Sequence, residues 1–125
     1  MRNENGVFRA RFNDRALRSI DTHKLRAEIA ALHTPGNPPA IILSLRNLDS
    51  LASGSLGALA QLTADLEQIG GVLVLYAIPR EIAKVIKKTK LDRIINTARD
   101  RSAARKKAAG LRERQAADSK RHYAA

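Results

Sequence analysis

The chain has 125 residues, no cysteine and a formal net charge of +11. That length suits one domain with a single modest core, and the lack of cysteine excludes a disulfide framework and any cysteine nucleophile. No stretch approaches the roughly 18 apolar residues of a membrane span, and MRNENGVFRARF has no apolar signal region, so a cytoplasmic location is expected.

VFRARF, residues 7–12, alternates Phe8, Ala10 and Phe12 with Arg9 and Arg11, the period of a strand with one wet face. Asn13-Asp14-Arg15 reads as a turn, and residues 16–19 as a short returning strand. A helix is expected to start at Asp21, which can cap free amides while Ile20 packs on Leu25 as a hydrophobic staple. Leu25, Ile29 and Leu32 form its buried stripe, and HTPGNPP ends it, because proline cannot continue a helix.

AIILSL, residues 40–45, is nearly all apolar and suits a central strand covered on both faces. Leu56, Leu59, Leu62, Leu66 and Ile69 give the next helix a face, closed by Gly70-Gly71. VLVLYA, residues 72–77, is the second central strand. Pro79 is placed to open a helix at its first position, with Ile82, Val85 and Ile86 facing inward. A last short strand is expected near residues 91–95. The order β-(β)-α-β-α-β-α predicts an α/β fold with right-handed crossovers and a mostly parallel central sheet, extended at one side by the N-terminal strand or hairpin.

Residues 99–125 hold nine Lys and Arg against three acids. They are rich in alanine, with Leu111 as the strong apolar anchor, so a frayed or partner-stabilised helix is expected. The division is therefore residues 1–98 as the α/β domain and 99–125 as a basic C-terminal extension. Such an extension attracts polyanions, whether nucleic acid or acidic protein, through a field that salt screens.

The common catalytic patterns are absent. His23, His33 and His122 lack metal-ligand spacing, so no metal or other cofactor is expected. ASGSLG lacks the Gly-Lys-Ser/Thr of a phosphate-binding loop, and SGSLG lacks the GxSxG nucleophile elbow. The chain reads as no enzyme, with no catalytic residue. What stands out is serine and glycine packed where a buried strand hands over to an apolar helix, in DSLASGSLGALAQL. Serine there caps free amides. The same amides and the helix dipole also favour an added phosphate.

Three segments, ARFNDRALRSI, AIILSLRNLDSLASGSLGALAQL and GGVLVLYAIPREIAKVIKKTKLDRII, together resemble in order and spacing a STAS domain of the anti-sigma-factor antagonist type, from about Val7 to Ile95. Against that family's DSSGLG motif, Ala52 falls at the aspartate, Ser53 at the phosphorylated serine, Gly54 and Ser55 at the next two positions, and Leu56-Gly57 match. Ala52 removes an acidic group, and Ser44 replaces the aspartate common in the preceding strand.

The resemblance implies a phosphorylation site at Ser53 and a partner-binding surface of Ala52, Ser53, Gly54, Ser55 and Gly57. It implies a serine-kinase anti-sigma factor as partner, in transcription regulation, and a phosphatase to reset the switch. A dianion placed in a packed contact reverses partner choice by desolvation and like-charge repulsion. The alternative is a STAS-fold scaffold that is not phosphorylated, or a nucleic-acid-associated adaptor working through the basic tail.

Overall fold

The computed structural model describes residues 2–4, 7–11, 16–17, 19–32, 39–48, 50–51 and 55–124. Its strands are β1 (Arg2–Glu4), β2 (Val7–Arg11), β3 (Ala16–Leu17), β4 (Ala40–Ser44), β5 (Ser50–Leu51), β6 (Val72–Tyr76) and β7 (Asn96–Ala98). The helices are α1 (Ser19–Leu32), α2 (Ser55–Gln68), α3 (Arg80–Lys88) and α4 (Arg101–Ala124), with a single 3-10 turn at Leu91–Arg93. The main sheet runs β1-β2-β4-β6-β7, antiparallel at β1–β2 and parallel at every other pairing. The α/β class and the mostly parallel sheet are as the sequence predicts.

The two apolar runs form its centre because their side chains have two interiors to fill. Ala40 pairs with Val72 and Ile42 with Val74, and these residues share one core with Val7 and Tyr76. Ile41 and Leu43, paired with Leu73 and Leu75, join the other core with Leu25, Ile29, Leu59, Leu66, Ile82 and Ile86. Leucines thus line the face under α1, α2 and α3, while valines and alanine line the opposite face. That second face is covered by α4, whose Ala104 and Ala108 are fully buried, with Leu111 packed partly against them. Small residues one turn apart lie on one side of the helix and let its axis come close to the sheet. The C-terminal segment therefore docks through its alanines, where the sequence pointed to a frayed or partner-stabilised helix with Leu111 as its strong apolar anchor.

The chain ends of α2 show why this sequence turns where it does. The Gly71 amide donates to the Leu66 carbonyl at 2.7 Å and the Gly70 amide to that of Glu67 at 3.1 Å, with Gly70 at φ 83°. This is a Schellman cap, and glycine adopts its left-handed residue without strain. A Cβ on Gly71 would lie 2.8 Å from the Pro39 carbonyl oxygen, whose partner is the Val72 amide at 3.0 Å. The pair therefore stops α2 and admits β6 beside the start of β4. At the other end of the chain Asp100 accepts the Ala103 amide at 2.9 Å and caps α4.

Several local expectations give way to tertiary structure. The antiparallel partner of β2 is Arg2–Glu4, which precedes it. The expected returning strand, β3, instead pairs in parallel with β5 in a separate two-stranded sheet. Helix α1 already begins at Ser19, ahead of the expected cap at Asp21. Pro79 is the N-cap of α3 rather than its first residue. Residues 91–93 form the 3-10 turn, and the last strand follows it as β7. Ile69 and Val85, expected inside, are 46% and 43% exposed, because Ile69 falls past the end of α2 in its capping turn and Val85 lies beside the Ile82–Ile86 stripe of α3. The expected turn at Asn13-Asp14-Arg15 lies outside the described residues, as does His33–Pro38 of HTPGNPP.

Candidate functional site

Parallel strands followed by helices bring the helix N-termini to one end of the sheet, the end where ligands and partners meet open α/β folds. Here α2 comes after β4 by way of β5, α3 follows β6 and α4 follows β7. The exit from β4 is built by hydrogen bonds. The Leu45 amide donates to the Tyr76 carbonyl at 3.0 Å, and the Leu48 amide to the Leu45 carbonyl at 3.1 Å, closing a turn. Leu45 and Leu48 are buried and anchor that turn, so Arg46 and Asn47 between them are held outward. The Ser44 hydroxyl, at the family's usual aspartate position, accepts the Arg46 amide at 3.3 Å. Serine here serves the turn.

From the turn the chain enters β5, which ends at Leu51, and resumes as α2 at Ser55. Ala52, Ser53 and Gly54 lie outside the described residues, and with them both readings of Ser53, as cap and as phosphate acceptor. Ser55 is 2% exposed, so its side chain belongs to the protein interior. Gly57, two residues on, is exposed, and a Cβ added to it would meet nothing within 4 Å. The first turn of α2 thus has a buried side at Ser55 and Leu56 and an open side at Gly57.

The helix is held in place by its own apolar stripe and by one charged link. Arg26 of α1 donates to Asp65 of α2 at 2.6 Å, and Gln61 donates to the other carboxylate oxygen at 2.9 Å. These two bonds, with that from Arg26 the stronger influence, hold the Asp65 carboxyl below its usual pKa. Buried Thr63 is satisfied within the helix, its hydroxyl donating to the Leu59 carbonyl at 2.9 Å.

Beside this turn, β6 leaves the sheet through Ala77, a non-glycine residue at φ 53°. The left-handed conformation costs an alanine energy and redirects the chain sharply into Ile78-Pro79 and α3. Sequence reasoning missed Ala77, and no local pattern could have shown it. It also passed over Arg46 and Asn47, although Leu45-x-x-Leu48 carried the signal of two anchored ends and an outward middle. Among the described residues no cluster of three His, Cys, Asp or Glu could hold a metal ion. Nor is any described helix long and apolar enough to cross a membrane.

The family model of the STAS domain matches residues 9–104, and the chain belongs to that family. A solved structure similar to it is that of a candidate anti-sigma factor antagonist from Thermotoga maritima, with a TM-score of 0.62. The two share 22% identity over 78% of this chain and 85% of that one, a likeness of fold. No curated protein matches the chain.

Proposed function

We propose that this STAS domain is a regulatory protein-binding module of the anti-sigma-factor antagonist kind, which catalyses nothing itself. Its partner is a serine-kinase anti-sigma factor, docking on the connection between β5 and α2 and on the open side of the first turn of α2. Ser53 accepts the phosphate that abolishes docking, and a phosphatase restores it. The observation that carries this reading is Gly57. An exposed glycine inside a helix costs roughly 0.5 to 1 kcal/mol relative to alanine, and among the described residues nothing outside its own helix lies within 4 Å of a Cβ placed there. A partner's backbone or side chain approaching the turn does need that space.

Phosphorylation suits this place physically. A phosphoserine carries about −1.5 to −2 charges, and Ser53 stands two residues before the start of α2 in sequence, where free amides and the helix dipole favour an added anion. The same charge faces a partner surface shaped for a neutral hydroxyl and must be desolvated there.

The test uses the full chain with a serine-kinase anti-sigma factor and ATP, mapping phosphate by mass spectrometry. Ser53 is expected to be modified, and Ser55, being buried, is expected to stay unmodified while the protein is folded. Ser53→Asp is expected to bind the kinase more weakly and Ser53→Ala to bind as wild type does. Phosphate found only at Ser50, Ser55 or the C-terminal serines, or full binding by Ser53→Asp, refutes the switch.

A further inference from the structure

The structure redistributes the protein's charge. Residues 19–68, spanning α1 to α2, hold three Lys and Arg against five acids, whereas residues 80–114 hold thirteen against four. The excess that sequence order assigns to the C-terminal extension is therefore shared by α3, the 3-10 turn and the docked half of α4. These elements meet around one edge of the sheet. Strand β7 is last in the sheet order, the turn at Leu91–Arg93 leads into it, and α4 leaves it.

On the α3 side Arg80, Lys84, Lys87, Lys88, Lys90 and Arg93 are all exposed. Across β7, Arg99, Arg101 and Lys107 flank the start of α4 and are exposed too. Lys107 reaches back to β7, donating to the Thr97 carbonyl at 2.8 Å. That bond ties α4 to the edge strand and covers an open backbone acceptor. The acids do little to neutralise this surface. Lys84 meets Glu81 at 3.5 Å and Arg99 meets Asp100 at 3.9 Å, both in solvent. Lys87, Lys88, Lys90 and Arg93 take part in no ion pair among the described residues.

We infer that the edge formed by α3, the 3-10 turn, β7 and the start of α4 is a docking surface for the phosphate backbone of duplex nucleic acid. Clustered exposed cations without matching acids gain by releasing the counterions of a polyanion. The form of the nucleic acid follows from what is missing. Residues 80–114 contain no aromatic side chain on which unpaired bases could stack, and single strands rely on that stacking. A duplex presents phosphates alone to such a surface, and binding is then indifferent to sequence. The inference is independent of the serine switch, since the surface stands on other elements.

The experiment titrates the full-length protein into a labelled DNA duplex of about 20 base pairs, followed by fluorescence anisotropy between about 50 and 200 mM NaCl. Affinity is expected to fall linearly on a log–log plot against salt. Replacing Lys84, Lys87, Lys88 and Arg93 together by alanine is expected to lower affinity tenfold or more and to reduce the slope by about 3 to 4, near 0.9 for each phosphate that is no longer neutralised. The milder Lys87→Ala/Lys88→Ala pair is expected to remove about half of that slope change, with circular dichroism confirming the fold. Lys24→Ala on α1, Lys120→Ala/Arg121→Ala near the C-terminus, and Ser53→Asp are each expected to bind within about twofold of wild type. Survival of duplex binding in the fourfold variant, or its disappearance in the Lys120/Arg121 variant instead, overturns the assignment. So does binding to phosphatidylserine vesicles or to an acidic protein with none to duplex. Unchanged duplex binding by Ser53→Asp keeps this result separate from that of the switch.

Discussion

At the scale of single residues, two glycines of one helix region have opposite reasons to be there. Gly71 is required by packing, since a Cβ would come within 2.8 Å of the Pro39 oxygen and 3.1 Å of a Leu66 methyl carbon. Gly57 is not, because among the described residues an added Cβ meets nothing within 4 Å. Gly57→Ala is therefore expected to raise stability by about 0.5 to 1 kcal/mol, and Gly71→Ala to lower it by about 1 to 3 kcal/mol. Urea unfolding of the two variants measures both. A destabilised Gly57→Ala would show that the fold itself needs that glycine and would remove the main support for the partner surface. The sequence showed these residues as a motif and as a helix stop. It could not show which of them the interior constrains, because the clash at Gly71 comes from a loop residue 32 positions away.

At the scale of elements, α4 changes what the C-terminal segment means. Read along the chain it is a charged, alanine-rich stretch whose helix is marginal alone. Placed on the sheet, it covers Val7, Ala40, Ile42, Val72, Val74 and Tyr76, all buried. Fully burying one such side chain contributes about 1.5 to 3 kcal/mol, so uncovering several together rivals the roughly 5 to 15 kcal/mol that holds a typical domain folded. Ending the chain after Ala98 is expected to give an unfolded or aggregating product. The finer check keeps the chain whole. Ala104→Leu, at a fully buried position, is expected to cost about 1 to 3 kcal/mol by overpacking, and Ala109→Leu, exposed one residue beyond Ala108, to stay within about 0.5 kcal/mol. Equal effects of the two in thermal melts would mean that α4 does not lie on the sheet through this face.

At the scale of the whole molecule, charge is arranged as well as abundant. The α1–α2 portion is slightly acidic by count, and its exposed Arg26–Asp65 link is of the kind that contributes little. The α3-to-α4 portion carries a large excess of like charge gathered on one edge. Self-repulsion across about a Debye length, roughly 10 Å at 0.1 M salt, opposes the folded state. Raising NaCl from about 10 to 150 mM is therefore expected to raise the melting temperature. The increment is expected to shrink in the variant with Lys84, Lys87, Lys88 and Arg93 replaced by alanine. A melting temperature that falls with salt would show that attractive pairs such as Arg26–Asp65 outweigh the repulsion.

By itself the sequence determined the α/β class, the two central strands, the helices between them and the STAS resemblance. These are written in local periodicity, in runs such as AIILSL and VLVLYA, and in the Gly70-Gly71 stop, all of which act within a few residues. Tertiary structure alone decided which strand pairs with which. It put Arg2–Glu4 against Val7–Arg11 although that segment has no apolar pattern, because an edge strand is held by its backbone ladder. It sent Ala16–Leu17 to Ser50–Leu51 across 34 positions of sequence. It also turned alanines into core residues, since Ala104 and Ala108 bury well only where a valine-lined sheet face waits for a helix that comes close. Hydrophobic pattern states how much surface a segment must bury. Only the assembled sheet states against what, and therefore which charges are left together on its edge.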